Sequence, residues 1–140
     1  MKKSVKLWIA AAVCVVVAGV VLLVYMNSFG KINANRVEKI VFYTDSNRST
    51  GIVLDADETK EFIKLFNASQ YGGLANGEGG TPDFAVAVHF RNGAILYVNE
   101  FGGHHDFEAY RAHAIIKGKG YYLDSGELCD FMLALEEKYS

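Results

Sequence analysis

Two adjacent histidines, His104 and His105, followed by Asp106 and flanked by Glu100 and Glu108, form the densest set of metal-ligating groups in the chain (EFGGHHDFEAY, 100–110). Imidazole nitrogens and carboxylate oxygens are the ligands that zinc and neighbouring transition metals accept. A carboxylate beside an imidazole also fixes its tautomer and raises its pKa, as general acid–base chemistry requires. A metal site here would take His104, His105 and Asp106 as ligands. Adjacent side chains on a strand leave on opposite faces, so the two rings converge only in an irregular loop. The spacing differs from HExxH, and the stretch contains no cysteine. The plainer reading is a polar connection between strands, with no cofactor required.

The elements around this loop decide what it can reach. FAVAVHF (84–90) and AILYVNEF (94–101) alternate apolar and polar residues on either side of Arg91-Asn92-Gly93. Asn-Gly is the favoured two-residue hairpin turn. That turn pairs Phe90 with Ile95 and Val88 with Tyr97, and it puts Phe84, Val86, Val88, Phe90, Ile95, Tyr97 and Phe101 on the core face. After the histidine loop, AYRAHAIIK and GYYLD form a second hairpin about Gly118-Lys119, which sets His113 opposite Asp124.

The faces turned away from the core then collect a second candidate surface: His89, Leu96, Val98, Glu100, Arg111, His113, Ile115, Tyr122 and Asp124. Imidazoles beside carboxylates could do proton-transfer chemistry, although cross-strand polar pairs are also ordinary sheet stabilisers. No serine or cysteine nucleophile is tied by motif to any of these histidines, and catalytic residues stay unassigned. The apolar members of the set suit partner docking, or cover from another part of the chain.

Upstream, VEKIVFYT (37–44) reads as a strand, DSNRSTG as a turn and GIVL (51–54) as a short strand. DADETKEFIKLFN then opens with a capping box, Asp55 to Glu58, and carries Phe62, Leu65 and Phe66 on one helical stripe. Residues 68–83, glycine-rich and holding the only proline, read as a long surface loop. No GxxxxGK[ST] is present to make it a phosphate cradle. A final helix follows a capping arrangement at Asp124-Ser125-Gly126-Glu127 and buries Leu128, Phe131, Met132 and Leu135. The expected class is α+β. An antiparallel sheet in the order β-β-α-β-β-β-β-α carries both helices on one face.

The N-terminus carries the strongest signal of location. Lys2, Lys3 and Lys6 precede an apolar run from Leu7 to Met26 that contains no charge, amide or proline. About 20 helical residues span a hydrocarbon core of ~30 Å, and in lipid a single span must be helical. The lysines hold the N-terminus in the cytoplasm, which places the remainder outside. A cleaved secretory signal has a shorter apolar core and a small-x-small site. NSFGKINAN offers such a site only at Ala34, well beyond the run. The expected organisation is a basic flank (1–6), a signal-anchor helix (7–26), a connector (27–35) and one extracytoplasmic domain (36–140).

Three of the 14 basic residues precede Lys31 and none of the 16 acidic ones does, so the rest of the chain has a net charge of −5 with histidine neutral. A mildly acidic domain lacking a basic stripe argues against nucleic acid and against electrostatic docking on anionic lipid. Cys14 lies in the apolar run and Cys129 in the domain, so no disulfide can form within the domain. Cys129 reads as a small core residue.

The run VEKIVFYTDSNRSTGIVLDADETKEFIKLFN behind a lysine-flanked anchor resembles the uncharacterised small membrane-anchored extracytoplasmic proteins of Gram-positive bacteria. The resemblance covers residues 1–67 and implies an envelope location, but it supplies no active-site residues. Three functions follow from the residues. The first is a non-enzymatic module binding a protein or envelope component through the second sheet face. The second is a metal-binding or hydrolytic protein using the His104/His105 loop. The third is an inhibitor or immunity-type protein.

Overall fold

The computed structural model describes residues 2–28, 31–74, 83–99, 112–116 and 119–140. It divides into two units, Met1–Lys31 and Ile32–Ser140. The first unit is one α-helix, α1 (Lys2–Ser28), with 21 residues (Lys3–Leu23) at a mean hydropathy of 2.6. This helix is long and apolar enough to cross a membrane.

The second unit is α+β. Its elements are β1 (Val37–Thr44), β2 (Ile52–Val53), α2 (Ala56–Ala68), β3 (Gln70–Leu74), β4 (Phe84–Phe90), β5 (Ile95–Asn99), β6 (Ala112–Ile116), β7 (Lys119–Asp124) and α3 (Gly126–Tyr139). The strands form one antiparallel sheet in the order β2-β1-β4-β5-β6-β7-β3. The unit's core begins at Ile32, inside the stretch expected to be connector. Ile32 is buried, and its backbone exchanges two hydrogen bonds with the Asn67 amide at the end of α2 (2.6 and 2.9 Å).

Helix α2 starts where the sequence places it. The Asp55 carboxylate accepts from the Glu58 N–H (2.8 Å), and the Glu58 carboxylate accepts from the Asp55 N–H (3.0 Å). Two of the orphan donors of the first turn are thereby satisfied. Phe62, Ile63, Leu65 and Phe66 are buried along its inner stripe. In α3 the cap is Ser125, whose hydroxyl accepts from the Leu128 N–H (3.1 Å), and not Asp124. Leu128, Cys129, Met132 and Leu135 are buried there, and Phe131 is half-buried against them. The stripes of both helices share one core with Ile40, Phe42, Phe84, Val86, Val88, Leu96, Val98, Tyr121 and Leu123 of the sheet.

Two expectations about the strands need correcting. The stretch 68–83 is not loop throughout, since Gln70–Leu74 forms edge strand β3 on β7. Its register shifts between Tyr71 and Leu74, across Gly72 and Gly73, and Gly73 has φ of +103°. A strand of this composition has little propensity of its own and depends on its partner for pairing.

The second correction concerns the hairpin of β4 and β5. The Phe90 N–H donates to the Ala94 carbonyl and the Gly93 N–H to the Phe90 carbonyl, both at 2.9 Å. The loop is therefore three residues, Arg91 to Gly93, with Gly93 at φ +85° in the left-handed region. This is a tight turn followed by a glycine bulge, in place of the two-residue turn that Asn-Gly suggests. Val88 pairs with Leu96 and Ala87 with Tyr97, one residue away from the expected register. Because side chains alternate with period two, that single step turns over the whole of β5. Leu96 and Val98 enter the core, while Ile95 and Tyr97 face outward.

Candidate functional face of the sheet

The register defines the outer face, opposite the one in the core. One row across it reads Val53, Val41, Ala87, Tyr97 and Ile115, each in register with the next. A second reads Tyr43, Ala85, Asn99, His113 and Tyr122. A third sets His89 between Lys39 and Ile95. Val41 and Ala87 are buried within the face. Val53, Ile95 and Tyr97 remain 61, 38 and 42% exposed.

The nine residues expected on this surface fare unequally. His89 is on it and half-buried, and its Nε2 is buried without a hydrogen-bond partner. Tyr122 is half-buried and Asp124 exposed. Leu96 and Val98 are removed from the surface by the register of the hairpin and belong to the core. The backbone of His113 pairs with Asn99 and Tyr122, not with Asp124, whose partner is Gln70. Ile115 pairs with Tyr97.

Glu100 and Arg111 lie outside the described residues. So do His104, His105 and Asp106, the expected metal ligands. Among the described residues, no three histidine, cysteine or acidic side chains come together around a possible metal.

His89 and His113 are not neighbours. The His113 row meets β4 at Ala85, four residues from His89, which is ~13 Å along the strand at about 3.3 Å per residue. Among the described residues, the register therefore does not set His89 and His113 side by side.

What it does assemble is a groove of about 370 Å³ lined by Tyr43, Arg48, Asp83, Ala85 and Tyr97, together with Thr44 and Phe84. Tyr43 is set in place by the turn before β2. Gly51 has φ of +65°, and a Cβ there would lie 2.7 Å from Tyr43 Cε1 and would overlap the Val41 side chain. The Tyr43 ring thus leans over a position that only glycine leaves open. The turn itself is tied by an Arg48–Asp45 ion pair and by the Asn47 side chain accepting from the Thr44 N–H (2.7 Å). The alternation of β4 puts Ala85 on this face in the sequence; the other groove residues did not stand out there. The signal that could have found them is the length of the Arg91–Gly93 loop, which decides on which face Tyr97 emerges.

A second groove of about 340 Å³ runs between β1–β2 and the start of α2, near Lys39 and Lys60. The helix N-terminus beside it is already occupied by the Asp55 carboxylate. Comparison of the chain with family models, with curated proteins and with solved structures finds no match.

Proposed function

We propose that this protein is a membrane-anchored binding module of the cell envelope whose outer sheet face engages an envelope component. One observation carries the reading: Ile95 and Tyr97 on β5, and Val53 on β2, stand exposed on either side of the buried Val41 and Ala87, on the face the core does not use. Exposed apolar side chains grouped on one sheet face, as Ile95 and Tyr97 are on β5, are a mark of binding surfaces. The apolar helix α1 supplies the anchor. Lys2, Lys3 and Lys6 orient it with the N-terminus in the cytoplasm and the domain outside. Confinement at the membrane raises the effective concentration toward a partner in the same envelope without any new contact. Binding suits this face better than catalysis does. The groove is open, and in register His89 is flanked by Lys39 and Ile95, neither of which is a carboxylate that could orient the imidazole.

The test is site-specific photocrosslinking in cells that make the full chain, with a benzophenone amino acid at position 97 and, as control, at Glu137 on α3. The reading predicts a discrete adduct from position 97 that is absent from position 137. Equal labelling at both positions, or none at 97, would contradict it.

A further inference from the structure

The groove on the outer face has a more specific chemistry than the apolar patch beside it. Tyr43 on β1 pairs with Ala85 on β4, and Ala87 on β4 pairs with Tyr97 on β5. Two tyrosines therefore stand two strands apart and two residues out of step, ~12 Å apart at about 4.8 Å per strand and 3.3 Å per residue, with the Ala85 methyl group as the floor between them. The Tyr43 ring leans toward Gly51, Ala85 is half-buried, and both tyrosines line the open groove. At about 370 Å³ this space is at the small end of the range for ligand sites.

The charges at its mouth narrow the ligand. Arg48 is ion-paired with Asp45, and Asp83 lines the same groove. A site for an anion would direct the guanidinium at the ligand rather than at a neighbouring carboxylate. A tyrosine cage for a quaternary ammonium would not keep an arginine at its rim. Aromatic walls, a methyl floor and a rim bearing both charges suit an uncharged ring with an apolar face and a hydroxyl-bearing edge. The face lies on tyrosine, and the hydroxyls meet carboxylate and guanidinium groups.

We infer that the Tyr43–Tyr97 groove is a saccharide-binding subsite that takes one uncharged pyranose ring of an envelope glycan. The inference rests on the outer face being the binding surface. It narrows the partner to a carbohydrate and gives each groove residue a role. Tyr97 is the stacking platform and Tyr43 the second wall, held by Gly51. Ala85 is the floor, whose small size makes the room, and Arg48 and Asp83 meet the hydroxyl groups.

The test uses the full chain in lipid nanodiscs with ring-¹³C tyrosine, its eight tyrosine signals assigned by single Tyr→Phe variants. Chitotriose, cellotriose and maltotriose are titrated as probes, with tetramethylammonium and inorganic phosphate alongside. At least one saccharide should shift the Tyr43 and Tyr97 signals saturably, and neither ion should do so. Tyr97→Ala should weaken binding about tenfold, the scale of one lost aromatic contact of ~1.5 kcal/mol, while Tyr97→Phe retains it. Ala85→Leu, which fills the floor and leaves both tyrosines in place, should abolish it.

The inference is overturned if no saccharide moves these signals, if tetramethylammonium or phosphate moves them equally, or if Ala85→Leu binds as the parent does. A flat titration together with a position-97 crosslink to a protein removes the saccharide and leaves the binding face standing. A flat titration with no crosslink removes both.

Discussion

Glu58 does more than close a capping box. The same carboxylate accepts from Lys138 Nζ (2.6 Å) and from the Tyr139 hydroxyl (2.8 and 3.0 Å), tying the start of α2 to the end of α3. Burial alone would push its pKa up. The Lys138 ammonium, the Asp55 amide and the Tyr139 hydroxyl together outweigh burial and hold it below the ordinary 4.5. A depressed carboxyl pKa means that the unfolded chain binds the proton more readily than the folded one. The stabilisation is therefore complete above pH 4.5 and is lost as pH falls through the lower folded value. Glu58→Gln keeps the amide oxygen for the cap but removes the charge opposite a half-exposed lysine. We expect a loss of roughly 0.5–1.5 kcal/mol at neutral pH, discounted for solvent screening, and a flatter decline of stability below pH 4.5. Denaturant melts of both proteins between pH 3 and 7 check this. Parallel curves would show that the carboxylate charge contributes nothing.

At the scale of elements, local signals that act within a few residues were legible and long-range ones were not. Strand β1 runs over Val37–Thr44 as its pattern indicates, and α2 starts at its capping box. Cys129 is buried in the core as a small apolar residue would be. Strand β3 could not be read because Gln-Tyr-Gly-Gly-Leu pairs only once β7 is in place beside it. The register of β4 and β5 was lost on one ambiguity: Arg-Asn-Gly supports a two-residue turn or a three-residue loop with a bulge, and the pattern of β5 has apolar residues on both faces. That ambiguity misassigned Leu96, Val98, Ile95 and Tyr97 and hid the groove. Paired substitutions test the observed register. Leu96→Asp places a charge in the core and should destabilise the fold by more than ~3 kcal/mol, whereas Ile95→Asp, on the outer face, should cost no more than about 1 kcal/mol. Thermal melts decide it, and the reverse ranking would restore the two-residue turn.

At the scale of the whole molecule, the chain joins an apolar helix able to cross a membrane to an acidic α+β unit whose sheet has one face in the core and one outside. A single buried face is ordinary for an antiparallel sheet, and the second then normally carries polar side chains. Here that second face carries exposed Val53, Ile95 and Tyr97 beside the polar Lys39, His89 and Asn99, which is why we propose a function for it. If the face binds a component of the envelope, the anchored protein should move more slowly in the membrane than its anchor helix alone. Single-molecule tracking of labelled full chain, of an Ile95→Asp/Tyr97→Asp variant shown by melting to be folded, and of residues 1–31 fused to the label measures this directly. The account predicts a slow or confined population for the full chain that is lost in the double variant, which should diffuse like the anchor alone. Equal mobility of the full chain and the double variant would contradict the assignment of function to the outer sheet face.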